Sequence, residues 1–103
     1  MAILASGCGG FLAIGATTDI GEQYRANECA VVLERVDEYA SMLADHPLAL
    51  AEAQLYKGKC LSRMGRTDEA IAAYSYVSEQ HPETPFAYEA RALLAQLESR
   101  ETP

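Results

Sequence analysis

No charged residue precedes Asp19, and only 8 of the 103 residues are Lys or Arg against 15 Asp or Glu. The formal charge is −7. A chain with this balance repels phosphate backbones and anionic membrane surfaces. It has no basic stripe and no aromatics interleaved with cations, so nucleic acid is excluded as a partner class. The three cysteines, Cys8, Cys29 and Cys60, form no CxxC and no spaced ligand set, which argues against zinc and against a dithiol redox centre. Cys29 and Cys60 lie in apolar helical patterns and read as buried, reduced thiols. No nucleophile stands beside a base. The run "GCGG" lacks the lysine and helix start of a phosphate loop. No enzyme activity, metal or cofactor is expected.

What is present is one domain's worth of chain, half of it apolar. The opening "MAILASGCGGFLAIGATT" is uncharged and broken by Gly7, Gly9, Gly10 and Gly15, so a membrane span is not expected. Residues 1–18 read as a Gly-rich leader and 19–103 as a helical domain. From Glu22 to Asp45 there is no Pro or Gly, and Tyr24, Val31, Val32, Val36, Tyr39, Met42 and Leu43 recur at helical spacing. A mostly continuous helix is expected there, with Asn27 as the place where it could break. A second helix covers Leu48 to Met64, with Gly65 as its left-handed C-cap. Thr67 is the expected N-cap of a third, running to about Gln80. Thr84-Pro85 starts a fourth, which carries Phe86, Ala90, Leu93, Leu94 and Leu97.

Both histidines directly precede a proline, 35 residues apart (His46-Pro47 and His81-Pro82). Tyr39 and Tyr74 each stand eight before these prolines, and Met42 and Val77 five before. The spacing predicts two equivalent helix ends, with the histidines structural, and a helical-hairpin array. Within Ala51–Thr84 the order Gly58, Leu61, Ala70, Tyr74, Pro82 resembles the tetratricopeptide repeat. Gln54 and Lys57 depart from it, standing where that repeat usually has Trp and Leu. The resemblance extends over Pro85–Leu97 as the first half of a following repeat. It is weaker over Val32–Pro47, as the second half of a preceding one. "HPETPFAYEARALLAQL" is similar in style to repeats of bacterial envelope proteins of the outer-membrane assembly and Tol-associated types.

The resemblance implies an all-α fold of antiparallel helical hairpins, a short α-solenoid of about four helices. It implies a non-catalytic protein-binding scaffold whose peptide groove is lined by Glu52, Leu55, Lys59, Ser62 and Arg63. Lys57, Lys59, Arg63 and Arg66 concentrate half of the basic residues; they read first as a solvated helix face, with a grip on an acidic peptide as the functional alternative. Leu93, Leu94 and Leu97 lack a following helix, so a homodimer or docking through the last helix is expected. "LASGC" resembles a lipoprotein processing box that would place a lipid on Cys8 and the chain in the periplasm, tied to a membrane. As written, only seven residues precede Cys8 and none is Lys or Arg, so export would require an upstream start. The alternative is a soluble cytoplasmic adapter or chaperone with the same groove.

Overall fold

The computed structural model describes the backbone of residues 2–101 and the side chains of residues 12–100. It contains helices α1 (Ala2–Arg25), α2 (Cys29–Leu43), α3 (Pro47–Arg63), α4 (Thr67–Gln80) and α5 (Pro85–Glu101), with no strand among the described residues. The fold is all-α, a stack of antiparallel helical hairpins with α-solenoid-like character. Each helix packs on the next in sequence, and α3 also touches α1 and α5. Helices α1, α3 and α5 therefore form one layer of parallel neighbours, with α2 and α4 behind it.

Helix α3 works because its two faces are both apolar. Ala51, Leu55 and Leu61 join Ala70, Ala73, Tyr74 and Val77 of α4 and Ala87, Ala90 and Leu97 of α5 in one core cluster. Ala53 and Cys60 point the other way, into a second cluster with Ala13, Ala16 and Ile20 of α1 and Cys29, Val32, Val36 and Leu43 of α2. The α3–α4 contact is closest at Gly58, where an added Cβ would lie 2.5 and 2.7 Å from ring carbons of Tyr74. Only a residue without a side chain lets that buried ring come so close to α3.

Two turns share one chemistry. Gly65 has φ +75°, and the Arg66 and Gly65 N–H groups donate to the carbonyls of Leu61 and Ser62 at 2.9 and 3.1 Å. That is a Schellman closure of α3. Asn27, at φ 62°, closes α1 the same way: Glu28 and Asn27 donate to the carbonyls of Gln23 and Tyr24 at 2.9 and 3.0 Å. The expected continuous helix over Glu22–Asp45 is thus two helices. Asn tolerates the left-handed region because its short amide makes local hydrogen bonds.

Several other expectations are corrected. The compositional step at Asp19 falls inside α1, which supplies the missing first half of the leading hairpin. Arg66, not Thr67, holds the N-cap position of α4, and no side chain caps it. The two His-Pro pairs are not equivalent. His81 is the C-cap of α4, whereas His46 is the N-cap of α3 with Pro47 as its first residue. The structural counterpart of Pro47 is Pro85, and Pro82 lies in the turn before it. Arg25 and Arg63, Asn27 and Gly65, Cys29 and Thr67, and Pro47 and Pro85 occupy matching places at an offset of 38 residues. Val32 and Ala70, and Val36 and Tyr74, are buried at that same offset. Thr84 does start α5 as expected: its hydroxyl oxygen accepts the Ala87 N–H at 3.2 Å.

Cys29 and Cys60 are not free thiols; they form a disulfide with Cα atoms 5.2 Å apart, tying the start of α2 to the last turn of α3. The spacing is ordinary for such a bond. It closes a loop across a sequence separation of 31 residues. A loop of that length contributes roughly 3–4 kcal/mol in the chain-entropy account.

Gly58→Ala is expected to destabilise the chain by about 1–3 kcal/mol, because overpacking against the Tyr74 ring outweighs the roughly 1 kcal/mol that Ala gains over Gly in a helix. Urea denaturation checks this. Adding Tyr74→Leu should recover part of the loss, and a Gly58→Ala chain more stable than wild type would refute the contact.

Candidate functional site

The stripe Leu48, Glu52, Tyr56, Lys59, Arg63 follows helical spacing along α3 and faces the layer shared with α1 and α5. Its C-terminal half is closed. The Arg63 guanidinium lies 4.0 Å from the Tyr24 ring centroid and donates to the Tyr24 carbonyl and to Asn27 Oδ1, both at 3.3 Å. It thereby serves the partly negative C-terminus of α1. Lys59 pairs with Glu89 of α5, and its ammonium lies 5.6 and 5.7 Å from the Tyr24 and Tyr56 ring centroids. Those rings are 5.1 Å apart and tilted. Arg66 binds Glu69 of its own turn through two hydrogen bonds, 2.8 and 2.6 Å. The bonded Arg66 holds the Glu69 carboxyl below its usual range.

Of the residues expected to line a peptide groove, Lys59 and Arg63 are therefore committed within the chain. Leu55 is buried in the core, Ser62 is half-buried, Arg63 is exposed despite its contacts, and Glu52 borders the open hollow described next. The repeat-packing residues Gly58, Leu61, Ala70 and Tyr74 are all buried, and Pro82 is exposed. Lys57 faces a separate hollow between α3 and α4, about 300 Å³, with Gln54, Leu61 and Tyr76. Cys8 lies among the residues whose side chains are not described. The last helix does not present the open apolar face expected of it. Leu97 is buried, and Leu93 and Leu94 pack against the same cluster.

The open part of the layer is at the N-terminal end of α3. A hollow of about 390 Å³ lies between α1, the α2–α3 turn, α3 and α5, lined by Ile14, Thr17, Asp45, His46, Leu48, Glu52 and Phe86, among others. A second of similar volume continues it along α1 and α3. It shares Ile14, Thr17 and Glu52, then adds Gly21, Arg25 and Tyr56. The combined cleft is of the size that takes side chains of a ligand. Ile14 and Leu48 are 66% and 57% exposed, large apolar groups left in water at its lip. Gly21 lets α1 approach at its far end, where an added Cβ would sit 3.1 Å from the Tyr56 hydroxyl. The cleft was missed in the sequence because α1 is apolar on both sides. Its buried Ala13, Ala16 and Ile20 do not stand out from its exposed Leu12 and Ile14.

Elsewhere α1 is held to α2 by polar contacts: the Tyr39 hydroxyl donates to Asp19 Oδ2 at 3.0 Å, and Arg35 Nε lies 3.3 Å from the same oxygen. The bond to Asp19, with burial behind it, raises the Tyr39 phenol above its usual range. His81 packs edge-on against Tyr76, 5.5 Å between ring centroids. Among the described residues no group of three His, Cys, Asp or Glu side chains gathers where a metal could sit. No helix among them is long and apolar enough to cross a membrane. Compared with protein-family models, curated proteins and solved structures, the chain matches none.

The Tyr74 phenol, beside Gly58, is pushed up to about 12, chiefly by burial. The unfolded tyrosine ionises near 10. Stability from the neutral buried phenol is thus complete below pH 10 and is lost as pH rises from about 10 to about 12, by roughly 2–3 kcal/mol. Urea midpoints measured across that range should fall further for wild type than for Tyr74→Phe. Parallel curves would contradict the burial argument.

Proposed function

We propose that the chain is a non-catalytic protein–protein interaction module, a short tetratricopeptide-like scaffold of the bacterial cell envelope. The observation that carries the binding role is the open cleft of the α1–α3–α5 layer, with Ile14 and Leu48 exposed at its lip and Phe86 at its side. Large apolar side chains lining a concave surface commonly mark a site for another protein or peptide. The tetratricopeptide reading draws support from the parallel layer of α1, α3 and α5 and from the Gly58–Tyr74 contact. The envelope reading draws support from the Cys29–Cys60 disulfide, since such bonds persist in oxidising compartments and are rare in the bacterial cytosol. A lipid on Cys8 would tie the module to a membrane. The partner is another protein, with nucleic acid disfavoured by the charge of −7.

A photo-crosslinking residue placed at Leu48 should give protein adducts in cells, whereas one at the exposed Gln96 of α5 should not. Equal labelling at both positions, or none at Leu48, would refute the cleft as the binding surface. In the same cells, Cys29 and Cys60 should resist alkylation until reductant is added. Immediate alkylation would favour the soluble cytoplasmic adapter instead.

A further inference from the structure

Given that binding role, we infer that the cleft accepts an apolar peptide segment carrying a Lys or Arg, not the acidic peptide that the basic residues of α3 suggest. The cations on the cleft side of α3 are already occupied: Lys59 by Glu89 and two tyrosine rings, Arg63 by the end of α1. What remains at the open end is Asp45 and Glu52, two carboxylates that pair with nothing among the described residues. Glu52 is half-buried and borders both hollows, and no cation contacts it among the described residues. Such a carboxylate rewards an incoming ammonium or guanidinium more than a fully wet one would. Beside it stand Ile14 and Leu48 at the lip and Phe86 at the side, which an aliphatic or aromatic residue near the cation would cover. Arg25 stands at the far end, beside Gly21 and Tyr56, and favours a neutral or acidic residue there. The ligand is thus oriented, with its cation toward the α2–α3 turn and its opposite end toward the C-terminus of α1. The overall charge of −7 steers a basic segment toward the chain and keeps an acidic one away.

The test is selection of randomised twelve-residue peptides displayed on phage against the full chain, followed by affinity measurement on the selected peptides. Selected sequences should combine apolar residues with Lys or Arg. Glu52→Gln should weaken them about fivefold, the scale of a partly exposed ion pair. Leu48→Ser should weaken them about tenfold, from lost apolar burial. Both substitutions sit on exposed or half-buried positions, so folding is checked by circular dichroism alongside. Selected peptides that are acidic, or that ignore both substitutions, would overturn the charge assignment while leaving a protein-binding role intact. No enrichment of any peptide would overturn the binding role itself. Pelleting with phosphatidylcholine vesicles completes the experiment: binding that Leu48→Ser abolishes would make the cleft a lipid surface and overturn the peptide assignment.

Discussion

The structure depends on how closely α4 can approach α3, and that is set by Gly58 against Tyr74. A glycine on one helix and a fully buried aromatic ring on the other leave no room for a methyl group. Once that distance is fixed, Ala70 and Val77 reach the same cluster as Leu55 and Leu61, and α5 closes it with Ala87, Ala90 and Leu97. The opposite face of α3 is then free to receive α1 and α2. The Cys29–Cys60 bond fastens that second cluster at its edge. A small domain has little apolar area to spare. Here both clusters draw on one helix, used on two sides.

The parts of the fold that were legible in the sequence are those governed by backbone rules. Gly65 ends α3 and Thr84-Pro85 opens α5, because left-handed backbone and a fixed φ admit few residue types. Gly58 and Tyr74 fell within one repeat by their order, but the contact of the ring with the glycine was not legible there. The parts that were not legible rest on contrast or on geometry between distant residues. Helix α1 exposes Leu12 and Ile14 beside its buried Ala13 and Ala16, so periodicity does not separate its faces there. Asn27 can occupy the left-handed region but does not demand it, so a continuous helix was equally compatible with the sequence. The two His-Pro pairs share a word and not a role. One proline opens a helix and the other follows one, and the true offset appears only when helix ends are compared. A disulfide between Cys29 and Cys60 requires knowing that α2 starts beside the end of α3.

The candidate site shows the same division. The tetratricopeptide resemblance implied that Glu52, Lys59 and Arg63 share one face, but could not tell which charges the fold would already satisfy. Tyr24 and Asn27 decide this by bringing the end of α1 against Arg63. The carbonyl end of a helix and an aromatic face both attract a cation. The positive half of the stripe thereby becomes part of the scaffold, and the cleft that stays open carries Asp45 and Glu52 at one end and Arg25 at the other.

Native-state hydrogen exchange tests the central claim most directly, because it measures whether α3 and α4 open together. If the Gly58–Tyr74 contact organises the fold, amides of Ala53–Leu61 and Ala70–Val77 should be the slowest in the chain and should share one opening free energy, equal to that of global unfolding. Separate opening energies for the two helices, or slower exchange in α1 than in either, would contradict it.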